Sequence, residues 1–320
     1  MTDKNRIFAA AIVGPTGVGK TKTSVLLAKK INAQIVSADS MQVYRHMDIG
    51  TAKAAEDEMC GVKHYMLSVA EPWEEYNVVR YAGEAKKAVN EIFENGFFPL
   101  VVGGTGLYAD ALLNGTDFSV TANDEEYREY LKKTAEEKGS EYLHAMLEKI
   151  DKESAEKIHC NNVKRVIRAL EIYHVTGKTK TENDSDANKN ANGIDCVKIG
   201  LYLENAVLYE RINARVDGMI KNGLIGEVEK ILKSERGFSK TSSQAIGYRE
   251  IIDYLNGKTT LFEATELLKR NSRRYAKRQY TWFMRDKSIN WIDAKNLPCE
   301  KMAGLCEEII NNAKRERNIL

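Results

Sequence analysis

The sequence predicts an α/β fold in which a parallel sheet is flanked by helices and interrupted by an all-helical insertion. Three observations predict it. An apolar, β-prone run at residues 7–13 leads straight into the glycine-rich octapeptide GPTGVGKT, residues 14–21. Strand and helix signals then alternate up to about residue 120, the pattern of parallel strands joined through helices. From Asn123 the chain turns charged and helix-prone, and strand character returns only at Asp195.

The elements follow in order. After the octapeptide, TKTSVLLAKKI places Val25, Leu26, Leu27 and Ile31 on one side of a helix. A short strand at residues 34–37 ends beside Asp39, and FFPLVV, residues 97–102, ends in Gly103, Gly104, Thr105 and Gly106. The segment DEEYREYLKKTAEEKGSEYLHAMLEKID and the stretch to His174 read as helices. Residues 176–193, rich in Asn and Asp, read as a loop. DCVKIGLYL, residues 195–203, alternates as a strand, and the remainder from Glu204 is mostly helical. The division is a core of residues 1–122 and 195–320, with an insertion of residues 123–194.

The octapeptide fits G-x-x-x-x-G-K-[ST] at every fixed position, with Pro15, Thr16 and Val18 among its free ones. Gly14, Gly17 and Gly19 let the backbone curl until several N–H groups face one phosphate. Lys20 adds a charge, the Thr21 hydroxyl suits Mg²⁺, and the following helix adds its positive end. The plain alternative is a turn without a ligand; the strand and helix on either side favour a di- or triphosphate site. Nucleotide-hydrolysing relatives of such loops carry an acid after a second strand. Residues 97–102 end without one, so Asp39 is the candidate, as metal ligand, general base or cap of the next helix. Ser37 and Ser40 beside it favour a polar site.

Composition narrows the class. With 43% hydrophobic residues and a net charge of +2, the chain has ordinary globular content, so any nucleic-acid surface must be a local patch. No apolar run approaches a membrane span, and the N-terminal residues carry no signal-peptide core, so a cytoplasmic protein away from membranes is expected. Cys60, Cys160, Cys196, Cys299 and Cys306 are widely spaced without a C-x-x-C pair, which suggests free thiols. His46, His64, His144, His159 and His174 form no ligand pair and read as surface or packing residues. Between Lys269 and Arg278 six cations (Lys269, Arg270, Arg273, Arg274, Lys277 and Arg278) cover about half a helix circumference, with only Glu266 and Asp286 nearby. That face suits phosphate contact, against the alternative of a solvated surface. Tyr275, Tyr280, Trp282 and Phe283 among them read as core. Lys164, Arg165 and Arg168 form a smaller cluster, opposite Val163, Val166, Ile167 and Leu170.

The segments GPTGVGKT, SADSMQVYRHMDIGTAK, VVGGTGLYADALL, NNVKRVIRALEIYHVTGK, AIGYREIIDYL and RRYAKRQYTWFMRD occur in that order. Together they resemble the bacterial tRNA dimethylallyltransferases, the IPP transferase family, from about residue 7 to residue 285. The chain departs from the family's usual pattern at Ala54, Lys63 and Asn162. The resemblance implies a P-loop NTPase-like core whose insertion grips a tRNA anticodon stem-loop. It implies transfer of a dimethylallyl group from dimethylallyl diphosphate to N6 of the adenosine 3′ to the anticodon, in tRNAs reading codons that begin with U. Mg²⁺ at Thr21 is the implied cofactor and a monomer the expected state. Asp39 would be the base, and Thr105 would bind near the bridging oxygen. Residues 14–21 and Arg215 would hold the diphosphate. Contact with tRNA would involve Asp39, Ser40, Met41, Gln42 and Thr105. It would also involve Arg128, Lys164, Arg165, Val166, Ile167 and Arg168, and on the basic helix Arg274, Lys277 and Arg278. The rival readings are a small-molecule kinase, a non-catalytic RNA-binding module, and an isopentenyltransferase acting on free AMP or ADP. The helical insertion favours a macromolecular acceptor over a mononucleotide.

Overall fold

The computed structural model describes residues 6–114, 124–182 and 194–319. The chain divides into two compact units, Met1–Leu113 with Ile194–Leu320, and Asn114–Gly193. The sequence reading put the first boundary at 122/123, within residues 115–123, which lie outside the described residues. So do residues 183–193, most of the stretch read as a loop.

The first unit is built on six strands: β1 (Phe8–Val13), β2 (Ala33–Ala38), β3 (His64–Tyr65), β4 (Phe98–Gly103), β5 (Asp195–Tyr202) and β6 (Asn290–Asp293). All pair in parallel, in the order β3-β2-β4-β1-β5-β6. β3 and β6 do not emerge from the sequence, because two and four residues are too few to show a period. The register carries the function. Val13 lies opposite Gly103 and Gly200, and Ala38 opposite Gly103, so β1, β2 and β4 end level while β5 runs two residues further. The phosphate loop, Asp39 and the Gly-Gly-Thr-Gly turn therefore emerge at one sheet edge, where ligands of open α/β sheets bind.

Alternation sends successive residues to opposite faces. Ala10, Ile12, Ile35, Leu100, Ile199 and Leu201 face α1 (Lys20–Lys30) and α13 (Cys299–Glu316), packing on Val25, Leu27, Met302, Cys306 and Ile310. Ala11, Val13, Val36 and Val101 face the other way, onto Tyr81, Val89 and Ile92 of α3 (Val78–Glu94). Short α2 (Glu56–Met59) lies between β2 and β3 in the chain, and α4 (Gly106–Leu113) follows β4. Beyond β5 come α9 (Asn205–Lys221), α10 (Leu224–Leu232), α11 (Tyr248–Leu255) and α12 (Leu261–Phe283). A capping box of Thr260 and Glu263 starts α12, and Asn77 caps α3 through the N–H groups of Val79 and Arg80.

The second unit holds α5 (Glu125–Lys138), α6 (Ser140–Ile150), α7 (Lys152–Lys157) and α8 (Val163–Thr176). Gly139, at φ 88°, splits the charged helical run in two. Leu131, Leu143, Leu147, Val166, Ile167 and Leu170 form its core. The expectation that Val166 and Ile167 meet tRNA is thereby corrected: both are buried, since the apolar stripe of α8 is what holds the unit together. Lys164 and Arg165 are exposed. Arg128 and Arg168 both donate to the buried Glu171 carboxylate, at 3.0 and 2.9 Å. Burial pushes Glu171 up, but these hydrogen bonds and charges bring it below the ordinary glutamate value. Among the described residues, no helix is long and apolar enough to cross a membrane.

Candidate active site

The phosphate loop takes its curled form through left-handed or extended glycines, with φ of 144° at Gly14, 83° at Gly17 and 103° at Gly19. Gly14 also has no room for a side chain, because a Cβ there would lie 2.4 Å from the Leu201 carbonyl oxygen. Val18 is buried in the core, so it contributes backbone only. The Lys20 ammonium donates to the carbonyls of Gly14 and Pro15 at 2.9 and 2.7 Å. Burial lowers its pKa to about 7; Asp39 draws it up and Arg215 pushes it down. The Thr16 N–H, expected to face phosphate, instead donates to Gln279 Oε1 at 2.9 Å. At the start of α1, whose N-cap is Gly19, the first N–H groups have no intrahelical carbonyl to meet, the arrangement that suits an anion.

Arg215 of α9 comes to this loop from nearly two hundred residues away. Its Nη1 donates to Thr16 Oγ1 at 2.9 Å, and its Nη2 to the Ala52 carbonyl at 3.4 Å. Burial lowers its pKa, while Asp39 and Glu58 raise it.

Asp39 follows β2, and its Oδ1 accepts from the N–H groups of Met41 (3.0 Å) and Gln42 (3.4 Å). These are cap-like bonds, yet a turn rather than a helix follows, so the helix-cap reading is corrected. Thr105 Oγ1 accepts from the Ser40 N–H at 3.1 Å and lies 3.4 Å from the Tyr275 hydroxyl. Burial pushes the Tyr275 phenol up to about 12, so it stays protonated near neutrality. Gln42 turns its amide to the carbonyls of Thr51 and Ala52, at 3.3 and 3.4 Å.

Thr16, Asp39, Arg215 and Tyr275 line one cavity of about 460 Å³, whereas Lys20, Gln42 and Thr105 stand outside its lining. Thr16 and Arg215 stand in its wall with Asp39, Ser40 and Met41. Arg274, Tyr275 and Arg278 of α12 complete it. Tyr275, read from sequence as core, therefore belongs to the site. The basic helix is partly neutralised. Lys269 is neutralised by Asp217 of α9 at 2.8 Å, whereas Arg273 keeps its charge and donates to the neutral Asn213 side chain at 2.5 Å. Arg274, Lys277 and Arg278 are exposed.

Gln279 is the residue that sequence reasoning missed. It is buried, takes the Thr16 N–H on its carbonyl and donates to the Gly104 carbonyl at 2.8 Å. It thus locks the phosphate loop to the turn that carries Thr105. Its only signal was its place within RRYAKRQYTWF. The turn's glycines permit this approach: a Cβ at Gly104 would lie 2.2 Å from Gln279 Nε2, and one at Gly106 2.2 Å from the Trp282 ring. Trp282 is held in place by a 2.8 Å bond from its indole N–H to Asp110, which resists its withdrawal. Gly106→Ala is expected to destabilise the fold by about 1–3 kcal/mol, as overpacking does. Urea unfolding measures this, and an unchanged midpoint would show that the indole moves aside.

A parallel sheet with a phosphate loop after β1 and further polar turns at the same edge defines an α/β protein with a P-loop NTPase-like core. The chain belongs to the IPP transferase family, whose family model matches residues 42–286; an isopentenyl transferase model matches residues 7–72. It is 47% identical over 303 residues to the tRNA dimethylallyltransferase of Carboxydothermus hydrogenoformans, covering 94% of this chain and 96% of the relative. Among solved structures it resembles the full-length tRNA isopentenylpyrophosphate transferase of Bacillus halodurans, with a TM-score of 0.72 and 43% identity over 98% of this chain and all of that one. A eukaryotic dimethylallyltransferase acting on tRNA matches with a TM-score of 0.74 and 31% identity, covering 90% of this chain and 74% of that one.

Proposed function

We propose that this chain is a tRNA dimethylallyltransferase that moves the dimethylallyl group of dimethylallyl diphosphate to N6 of the adenosine 3′ to the anticodon. Its substrates would be tRNAs reading codons that begin with U. The observation that carries the reading is the shared cavity, where the Thr16–Arg215 pair beside the phosphate loop faces Asp39 and Ser40. Lys20 and the N–H groups of residues 17–21 hold the diphosphate. The C–O bond of the donor breaks and diphosphate leaves with the electron pair. N6 of adenine forms the new C–N bond and gives up a proton to Asp39. Positive groups at the leaving oxygen are worth most as its charge grows.

The residues fit Mg²⁺ held largely through the substrate. Thr21 offers an exposed hydroxyl at the start of α1, and Mg²⁺ commonly takes few protein ligands beside phosphate oxygens and water. Bound there it would add positive charge at the leaving diphosphate. A cytoplasmic monomer completes the proposal.

The test is incubation with unmodified tRNA, Mg²⁺ and dimethylallyl diphosphate, followed by digestion and mass analysis for a prenylated adenosine. No product would refute the reading. Transfer of labelled phosphate from ATP would favour the kinase, and modification of free AMP would favour the mononucleotide enzyme.

The exposed part of the basic helix is assigned to tRNA phosphates. Arg274→Ala with Lys277→Ala should weaken tRNA binding and flatten its salt dependence by about one unit of slope per lost contact. Equal slopes in the variant and the parent would make this face merely solvated.

A further inference from the structure

The loop between β2 and α2 lines the cavity through Gly50 and Thr51, and it is held both by its own bonds and by a group from another helix. Ala52 sits at φ 47°, in the left-handed region that residues with a side chain seldom adopt. Such a backbone persists when its surroundings over-determine it. Those surroundings include bonds within the loop, the Lys53 ammonium, and one carboxylate from elsewhere in the unit. Glu227 of α10 accepts the N–H groups of Asp48 and Ile49 on Oε2, at 2.9 and 2.8 Å, and that of Gly50 on Oε1, at 3.0 Å. The Tyr248 hydroxyl of α11 donates to the same Oε1 at 2.5 Å. Burial, then the Glu227 charge, raises the Tyr248 pKa and keeps it a donor. The Tyr248 ring packs so closely that a Cβ on Gly50 would lie 2.5 Å from it. Lys53 ties the far end of the loop to the Tyr44 carbonyl, Asp48 and Ser68 at 2.6, 2.6 and 2.9 Å.

The loop delivers two carbonyls to the site. Ala52 O anchors one arm of the Arg215 guanidinium, whose other arm is on Thr16 Oγ1. Thr51 O and Ala52 O together anchor the Gln42 amide, next to Asp39 and Met41. We infer that Glu227 is a positioning residue: its carboxylate, by gathering three successive N–H groups, sets the Ala52 carbonyl that orients Arg215 toward the diphosphate. Glu227 itself does not line the cavity. A carboxylate is the side chain suited to this work, because its two oxygens accept all four donors at once.

The inference rests on the proposed transfer reaction. Glu227→Ala is expected to lower kcat by about 10- to 100-fold with tRNA affinity unchanged, as loss of alignment in a reacting geometry does. Glu227→Gln keeps one accepting oxygen and should lie between it and the parent. The deciding experiment is a double-mutant cycle with Arg215→Ala, with kcat measured at saturating tRNA and dimethylallyl diphosphate. If Glu227 acts through Arg215, its loss should shrink by at least about fivefold in the Arg215→Ala background. Losses that simply multiply overturn the inference, and so does an unchanged kcat in Glu227→Ala. Should the alanine variant fail to fold, Tyr248→Phe removes one hydroxyl from the same cluster and carries the same cycle with the same two outcomes. The parent chain is run beside them. No product from the parent refutes the transfer reading, whereas product from the parent with multiplying losses refutes only the role of Glu227.

Discussion

Asp39→Asn is expected to lower the rate at saturating substrates by roughly 10²-fold or more, the usual contribution of a general base. The substitution isolates proton transfer because the carboxylate's structural bonds survive it. Oδ1 accepts the Met41 and Gln42 N–H groups, and an asparagine carbonyl accepts them equally well. The turn that presents Ser40 and Met41 to the cavity should therefore persist, and binding of tRNA and of dimethylallyl diphosphate should change little. The loss then belongs to kcat. Adenine N6 is a poor nucleophile because its lone pair is conjugated into the ring, so it must shed a proton as the new bond forms. A metal-ligand role for Asp39 predicts something else: partial recovery of the rate at high Mg²⁺. A purely structural role predicts a near-normal rate at ordinary Mg²⁺, and that outcome would falsify the base assignment. One titration of rate against Mg²⁺ separates the three.

What the sequence made legible was local. The phosphate loop is eight consecutive residues with a strand before and a helix after. The four long strands show as apolar runs, and the turns that follow three of them carry the site. Asp39 is a candidate because it follows a strand directly and Thr105 because the family resemblance implies it; parallel register brings the two turns together. The illegible part is polar and long-range. The Thr16–Gln279 and Thr16–Arg215 bonds span 263 and 199 residues, and helical spacing does not say which distant group either partner meets. Glu171 takes two arginines from within the buried face of α8, a pairing that the sequence does not signal. Asp217 neutralises Lys269 from another helix, so counting acids along α12 overstated its free charge. Periodicity reports which face is buried; it says nothing about which buried polar group will meet which. Such pairs form because an unpartnered buried polar group is costly, and the chain satisfies it from whatever element packs there.

Lys20→Ala should weaken dimethylallyl diphosphate binding and slow transfer together, with kcat falling by about 10²–10³-fold, as when one donor to a developing anion is removed. The two losses coincide because the diphosphate is charged before transfer and gains charge as it leaves. The variant also has a pH signature. Burial brings the Lys20 pKa in the folded chain to about 7, below its ordinary 10.5. The folded state thus holds this proton less tightly than the unfolded chain. Unfolding takes up a proton between about pH 7 and 10.5, stability rises with pH across that window, and the burial penalty is present in full below pH 7. A bound diphosphate places negative charge beside the ammonium and raises its pKa. At pH 8, binding to the parent should therefore take up more protons than binding to Lys20→Ala, while at pH 6 the two should agree. Titration calorimetry in buffers of different ionisation enthalpy measures the difference directly. Equal proton uptake by the parent and Lys20→Ala at pH 8, or an unchanged kcat, would remove Lys20 as the cation that meets the diphosphate. Loss of uptake at pH 8 together with lowered kcat places the ammonium on the leaving group, which it can reach only by leaving the Gly14 and Pro15 carbonyls or sharing itself with them.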